Sequence, residues 1–229
     1  MKIKDIFKFI ISIIMFFGGS IVIGLFLRNL GMDLTNIDAK DESYIDCLIY
    51  GIYSLIIFLL YHKTFKEDFN KIKADKKFTN TLFKYFAIFF GIKVASAMVT
   101  GIIGTMFGME IGNSENQEAL IKMLQAGPIM MLISSSIFAP LVEEGIFRLS
   151  LKKVISNKKV FIILSGLIFG FMHIFPTDLS ISVALTYSIS YVSIGIALAY
   201  MYIDTDNIWY PICIHGLNNF LSLILIILM

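Results

Sequence analysis

The stretch PIMMLISSSIFAPLVEEGIFRL, residues 128–149, is long and apolar enough for a membrane-spanning helix, yet it contains Glu143, Glu144 and Arg148. A helix needs about 20 mainly apolar residues to cross about 30 Å of hydrocarbon. A charged side chain at the centre of a bilayer costs about 2.5–3.5 kcal/mol on insertion scales, so such residues usually mark a functional site. The stretch therefore predicts a membrane helix with a polar site inside it.

The composition of the whole chain is that of a membrane protein. Its 229 residues are 57% hydrophobic and 16% charged, and their mean hydropathy is +0.81. Soluble domains contain about 25% charged residues. Seven apolar stretches are predicted to span a bilayer, at residues 6–27, 44–61, 82–107, 128–149, 160–176, 179–203 and 207–229. We therefore predict an all-α fold, a polytopic bundle of about seven transmembrane helices, with residues 1–229 as a single integral membrane domain.

Positive charge is distributed unevenly between the predicted loops. With the N-terminus in the cytoplasm, fifteen of the nineteen basic residues fall on the cytoplasmic side, within residues 2–8, 63–84 and 148–159. Cytoplasmic loops of membrane proteins are enriched in Lys and Arg. We therefore expect a multi-pass protein with a cytoplasmic N-terminus and an external C-terminus. Topology and anionic lipid explain the basic stretch 63–77, so we predict no nucleic-acid partner.

The charged residues of the fourth predicted span are spaced for different tasks. Glu144 and Arg148 are four positions apart with the acid first, which is the favourable order for a helical ion pair. Glu143 is rotated from Glu144 by about 100° around the helix, so it is less well placed to form an ion pair with Arg148. Pro140 has no N–H, so it should free a backbone carbonyl and bend the helix beside the acids. We expect Glu143 to act as a base, while Glu144 and Arg148 brace the site.

Two later apolar stretches are interrupted in the same way. Phe169 and His173 lie one turn apart in the fifth predicted span, and His215 and Asn219 lie one turn apart in the seventh. Counted at 1.5 Å per residue from the cytoplasmic helix ends, Glu143 and His215 lie about 14 Å deep, and His173 and Asn219 about 20 Å deep. The four polar side chains are therefore predicted to share one slab near the middle of the bilayer.

Two kinds of chemistry suit a carboxylate, two imidazoles and an amide at one depth. Glu143 could take a proton from water while the other groups stabilise the negative oxygen formed on an attacked carbonyl. Alternatively, Glu143, His173 and His215 could hold zinc, because carboxylates and imidazoles are zinc ligands and a catalytic site keeps one position open. The residues alone leave both interpretations open.

The three motifs together resemble the CAAX prenyl endopeptidase and bacteriocin-processing family of intramembrane proteases, also called the Abi family. The family pattern is EExxxR, FxxxH and HxxxN on successive core helices. It is complete here as Glu143-Glu144…Arg148, Phe169…His173 and His215…Asn219. The resemblance covers about residues 128–229, which are therefore predicted to be the catalytic core, while the first hundred residues show only a generic membrane pattern.

The resemblance implies a CAAX-type endopeptidase that hydrolyses a peptide bond in a membrane cavity. The roles that it implies are water activation by Glu143 and His173, an oxyanion hole formed by His215 and Asn219, and organisation of the site by Glu144 and Arg148. We expect a metal-free enzyme without a cofactor, with zinc as the alternative. The expected partners are the lipid bilayer and a peptide or membrane-protein tail as substrate.

Two other classes of protein could use the same residues. Bacterial relatives are associated with peptide maturation and bacteriocin immunity, so a non-catalytic membrane immunity or scaffold protein is the main alternative. A transporter could also bury these polar groups, but the chain lacks the inverted repeat expected of many transporter folds. The complete motif set favours the enzyme. The substrate, the cleavage position and the oligomeric state cannot be derived from the sequence.

Overall fold

The computed structural model describes residues 3–33, 37–109, 115–174 and 180–228, and these residues form eight helices and no strand. The helices are α1 (Ile3–Asn29), α2 (Ala39–Ala74), α3 (Phe78–Met106), α4 (Glu115–Ala126), α5 (Pro128–Val154), α6 (Lys158–Met172), α7 (Ile181–Thr205) and α8 (Trp209–Leu228). Two stretches of α5 are π-helical, Ser134–Phe138 and Gly145–Ser150. The predicted all-α class is confirmed.

Six of the helices in the described residues, α1, α2, α3, α5, α7 and α8, are long and apolar enough to cross a membrane. The chain is thus a multi-pass membrane protein, as predicted. The fifth predicted span, residues 160–176, corresponds to α6, which has 15 residues and a length of about 22 Å. The predicted end of that span falls on residues 175–179, which lie outside the described residues, as do both chain termini.

Helix α2 extends well beyond the predicted span 44–61, because residues 62–74 are helical but too polar for hydropathy to detect. The helix is kinked at Tyr61, whose φ and ψ are −121° and 17°. At this kink the ammonium group of Lys8 donates a hydrogen bond to the carbonyl of Leu60. The same ammonium lies 5.2 Å from the centre of the Tyr61 ring. A basic residue of α1 therefore satisfies the backbone where α2 departs from helical geometry.

The chain divides into two compact units, each assembled from stretches that are distant in sequence. The first unit comprises Met1–Lys66, Leu120–Val154 and His215–Met229, and the second comprises Glu67–Ala119 and Ile155–Ile214. The predicted single domain and the predicted core at 128–229 stay predictions.

In the first unit, α5 packs against α1 and α8. The ring of Phe147 meets that of Phe16 edge-on, with centroids 5.7 Å apart. Gly216 of α8 lies so close to α5 that a Cβ atom would be 2.5 Å from the carbonyl oxygen of Ser136. In the apolar window of α5, 56% of the residues are buried. Polar groups on α5 are therefore surrounded by protein, where they can find partners that lipid cannot offer.

In the second unit, α6 packs against α7 through two glycines one turn apart. A Cβ atom on Gly170 would lie 2.7 Å from the backbone nitrogen of Val192, and one on Gly166 would lie 3.0 Å from that of Ile196. Backbones that approach so closely are typical of small-xxx-small pairs in membrane helices. The contact holds α6, which ends just before His173, against α7.

Candidate active site

Glu144, Arg148 and His215 form a continuous line of polar contacts inside the first unit. Glu144 Oε2 lies 3.0 Å from Arg148 Nε, and both side chains are fully buried. The other carboxylate oxygen, Glu144 Oε1, lies 2.9 Å from His215 Nδ1. The ion pair predicted from the i, i+4 spacing is thus present. Glu144 also has a second partner, the imidazole of His215, which the sequence did not predict.

The backbone that carries this line is not a regular α-helix. In the second π-helical stretch of α5, the N–H of Leu151 donates to the carbonyl of Ile146, five residues earlier. Such π turns are uncommon and occur frequently at functional sites. Ser150, the last residue of the stretch, has its hydroxyl 2.7 Å from that of Tyr61 at the kink of α2. The turn that contains Arg148 is therefore fixed at its end by α2.

Glu143 lies on the opposite side of the same imidazole. Its Oε2 is 3.9 Å from His215 Nε2, which is too long for a direct hydrogen bond but allows one water oxygen to bond to both atoms. Glu143 is 6% exposed and His215 is 5% exposed. Glu144 accepts a hydrogen bond from Nδ1 and so fixes the ring orientation, which directs Nε2 towards Glu143.

The charges of these four side chains have a chemical consequence. Glu143, Glu144 and Arg148 together carry one net negative charge when His215 is neutral. Ions removed from water cost several kcal/mol each unless they are neutralised. One further proton, held by either His215 or Glu143, makes the group neutral. A carboxylate and an imidazole that can share one water are arranged as general acid–base catalysis requires.

Asn219 binds the backbone of α5 at the place where Pro140 interrupts it. In the first π-helical stretch, the N–H of Ala139 donates to the carbonyl of Ser134, five residues earlier. The next bond in this pattern would come from residue 140, but proline has no N–H. The carbonyl of Ser135 instead accepts a hydrogen bond from the side-chain amide of Asn219, at 2.9 Å. The free carbonyl predicted from Pro140 is present, and Asn219 is its partner.

His173 belongs to the second unit, and it follows the last residue of α6 instead of lying within a helix. Its Nδ1 lies 2.8 Å from the carbonyl oxygen of Phe169. Its ring is 4.4 Å from the Phe169 ring, centroid to centroid, and stacks on Tyr191 at 4.9 Å. Phe169 and His173 thus share one face, as their spacing predicts. Nδ1 donates in this contact, because a carbonyl oxygen can only accept a hydrogen bond.

Two polar contacts of the first unit involve residues that the sequence analysis missed. The hydroxyl of Ser134 donates to Asp46 Oδ2 at 2.5 Å, and the other contact is that between Tyr61 and Ser150. Asp46 falls inside the predicted span 44–61, so a carboxylate in an apolar stretch was an available signal. The hydroxyl pair gave no signal, because neutral hydroxyl groups are common in membrane helices.

Within the described parts of the chain, no three His, Cys, Asp or Glu side chains are grouped as a metal site. The sequence alternative, zinc held by Glu143, His173 and His215, stays a prediction that requires a measurement in solution.

Residues 125–221 match a family model described as type II CAAX prenyl endopeptidase Rce1-like. This region contains the three sequence motifs in full. The resemblance to the CAAX prenyl endopeptidase and bacteriocin-processing family is thereby confirmed for the part of the chain that carries them.

Similar proteins occur in several bacteria. A Bacillus subtilis protein named "Putative membrane peptidase YdiL" is 28% identical over 77% of this chain and 66% of its own length. An uncharacterized protein of Mycoplasma capricolum is 27% identical over 90% of this chain and 60% of its own length. The UPF0177 protein YvdC of Lactococcus lactis is 27% identical over 94% of this chain and 81% of its own length. The chain thus spans less than two thirds of the first two relatives. No solved structure matches it.

Proposed function

We propose that this protein is an intramembrane endopeptidase of the CAAX type, in which Glu143 activates the water that hydrolyses a peptide bond. The observation that carries the proposal is the buried line of Glu143, His215, Glu144 and Arg148 within helices that are otherwise apolar. The match of residues 125–221 to the type II CAAX prenyl endopeptidase model supports the same activity. Buried ionisable groups are expensive in a membrane, so a line of four such side chains favours a catalytic role.

The proposed reaction begins with water placed between Glu143 Oε2 and His215 Nε2. Glu143 takes one proton from the water, and the resulting hydroxide attacks the carbonyl carbon of the substrate peptide bond. The carbonyl oxygen becomes negatively charged in the tetrahedral intermediate. The C–N bond then breaks as the proton passes from Glu143 to the leaving nitrogen, which yields a carboxylic acid and an amine. The carboxylate of Glu143 is regenerated at the end of the cycle.

The negative oxygen of the intermediate requires hydrogen-bond donors. Protonated His215 would donate from Nε2, since its Nδ1 is already bonded to Glu144. Asn219 has two amide hydrogens, of which one is engaged with Ser135 and the other is available as a donor. The bond to Ser135 would hold that amide in a fixed orientation before substrate arrives, which is how preorganised donors lower a barrier. By the family resemblance, His173 would assist Glu143 in activating water.

The substrate in this proposal is a peptide or the tail of a membrane protein that reaches the site from within the bilayer. The uneven distribution of basic residues further supports a cytoplasmic N-terminus and an external C-terminus. The chain covers only part of the length of its first relatives. The cleavage position and any lipid modification of the substrate are therefore identified from the peptides themselves, in the following experiment.

A comparison of the peptides in cells with the wild-type chain and with Glu143→Gln tests the proposal. The substitution removes the base and keeps the shape, so we expect cleavage products to disappear while the protein level is unchanged. Glu67→Gln is the matched control, because Glu67 is exposed and lies outside the site. An immunity or scaffold protein that does not cut peptides would retain its cellular effect in both variants, and that result would reject the enzyme.

Metal dependence requires a separate measurement on purified, active protein. If the site works without metal, zinc chelators leave the rate unchanged and metal analysis finds far less than one equivalent of zinc. If Glu143, His173 and His215 hold zinc, chelation abolishes activity and added zinc restores it. The metal-free mechanism would be overturned if the wild type contained one equivalent of zinc and both His173→Ala and His215→Ala lost it. The proposal that the protein hydrolyses peptides would not be affected by that result.

A further inference from the structure

A pocket of about 320 Å³ lies in the second unit, where the turn between α2 and α3 meets the turn between α7 and α8. Its lining includes two lysines, two aspartates and two tyrosines, namely Lys71, Lys84, Asp75, Asp204, Tyr85 and Tyr210. The charged lining residues are balanced in sign. Ligand sites typically have volumes of about 300–1,000 Å³, so this pocket has room for one small polar group.

The side chains around the pocket are held by hydrogen bonds among themselves. The Tyr210 hydroxyl donates to Asp75 Oδ2 at 3.1 Å, and the Tyr85 hydroxyl donates to Asp204 Oδ2. The ammonium of Lys84 lies 4.9 Å above the centre of the Tyr85 ring. A carboxylate can accept about four hydrogen bonds, so both aspartates keep acceptor capacity for a ligand. The ammonium of Lys71 lies 2.9 Å from Asp68 Oδ1, outside the lining, and this ion pair positions it. The pocket is therefore lined by hydrogen-bonded carboxylates and by two cations.

The residues around the pocket indicate that it lies at the level of lipid headgroups. Trp209 and Tyr210 begin α8, and Tyr85 lies near the start of α3. Trp and Tyr are enriched where membrane helices meet water. The part of α2 that lines the pocket belongs to its polar extension, residues 62–74. Both observations place the pocket where the phosphate and amine groups of phospholipids are concentrated.

We propose that this pocket binds the headgroup of a phospholipid with a phosphate and a primary ammonium, as in phosphatidylethanolamine. The phosphate would face Lys71 and Lys84, and the ammonium would face Asp75 and Asp204. A lining with no net charge favours a ligand that carries both signs over a purely anionic lipid. This inference is independent of the proposed peptidase activity.

The choice of a primary ammonium over a choline group follows from the acceptors in the pocket. A primary ammonium offers three N–H donors, which suit the two carboxylates. A choline group has no N–H and is recognised by open aromatic faces. One aromatic ring of the lining, that of Tyr85, has Lys84 over its face. The pocket thus matches the headgroup of phosphatidylethanolamine better than that of phosphatidylcholine.

Lipid binding to the purified full-length protein tests the proposal, for example by native mass spectrometry in detergent. The probes are phosphatidylethanolamine, phosphatidylcholine and phosphatidylglycerol with the same acyl chains, and glycerophosphoethanolamine without chains. We expect phosphatidylethanolamine to bind at least about tenfold more tightly than the other lipids, as the loss of one charge-assisted hydrogen bond implies. Phosphatidylglycerol or phosphatidylcholine binding equally well would overturn the proposal. Glycerophosphoethanolamine binding as tightly as the lipid would assign the pocket to a soluble ligand and overturn the lipid assignment.

Substitutions distinguish lipid binding in the pocket from a general attraction of lipids to the basic surface of the protein. Asp204→Asn and Lys84→Gln should each weaken phosphatidylethanolamine binding about tenfold or more. Lys76→Gln is the matched control, because Lys76 is exposed and does not line the pocket, and it should bind as the wild type does. Should either variant fail to fold, Lys71→Gln replaces it, since the Lys71 side chain is 57% exposed. Unchanged binding in the folded pocket variants would overturn the proposal.

Discussion

Helices α1 and α5 have the same length, 27 residues, and both are apolar enough to span a membrane, yet protein surrounds them very differently. In the apolar window of α1, 11% of the residues are buried, whereas the fraction in α5 is 56%. The less apolar helix is thus the more enclosed one. Apolar side chains can face lipid, but Glu143, Glu144 and Arg148 need partners that lipid does not provide. Hydropathy identifies the spans, and the charged residues within one of them identify the helix with the largest buried fraction.

The same contrast predicts where substitutions will be costly. On α1, large apolar side chains such as Phe17 and Ile21 are exposed, so in a bilayer they face lipid and are easily replaced. On α5, Glu144 and Arg148 form a buried ion pair, and Glu144 also accepts a hydrogen bond from His215. The predicted effects therefore decrease from the ion pair of α5, through its interrupted backbone, to the hydroxyl contact at its end.

The largest effect on stability is expected for Arg148→Ala. The substitution leaves the buried carboxylate of Glu144 without its cation, and breaking one side of a buried pair costs about 3–5 kcal/mol. The level of the protein in membranes and its thermal unfolding in detergent measure this loss. Arg28→Ala, at the exposed end of α1, is the control and should change neither quantity. Equal stability of the two variants would show that the enclosure of α5 does not depend on its charges.

An intermediate effect is expected where Asn219 replaces the hydrogen bond that Pro140 cannot make. Asn219→Ala leaves the buried carbonyl of Ser135 without a donor, at a cost of about 1–3 kcal/mol. Pro140→Ala supplies an N–H that can serve this carbonyl, so the same Asn219→Ala change should cost about 1 kcal/mol less in that background. A double-mutant cycle of unfolding free energies measures the difference. Strict additivity of the two substitutions would contradict the proposed replacement of the backbone bond.

The smallest effect is expected for Tyr61→Phe, which removes the hydroxyl that contacts Ser150 and keeps the ring beside Lys8. The loss of one hydrogen bond costs about 0.5–1.5 kcal/mol. Tyr44→Phe is the control in the same helix, because Tyr44 is 48% exposed. Thermal unfolding of both variants in one detergent measures the difference. A larger loss for Tyr44→Phe would show that the contact with Ser150 does not stabilise the end of the π turn.

The sequence predicted those features that depend on hydropathy and on regular helical spacing. The membrane spans follow from the length of the apolar stretches, and the pair of Glu144 and Arg148 follows from the i, i+4 rule. The free carbonyl follows from the chemistry of Pro140. In each case a local pattern was sufficient, because the residues involved belong to one helix.

Other features depend on contacts between helices or on irregular backbone, which no local pattern encodes. The bond from Glu144 to His215 joins residues 71 positions apart, so their sequence spacing carries no information about it. The partner of the free carbonyl, Asn219, could not be derived for the same reason. The π turns shift the register of α5, and the polar extension of α2 escapes a search for apolar stretches. Helix α4 was missed because its 12 residues are too few and too polar to suggest a span.

The central claim, that Glu143 activates water for peptide hydrolysis in the membrane, is tested most directly in ¹⁸O-labelled water. Purified wild-type protein and Glu143→Gln are compared on a peptide identified as a product precursor in cells. We predict that the wild type places one ¹⁸O atom in the new carboxyl group and that Glu143→Gln slows the reaction about 10²–10⁴-fold, the usual contribution of a general base. Cleavage by Glu143→Gln at the wild-type rate would contradict the account.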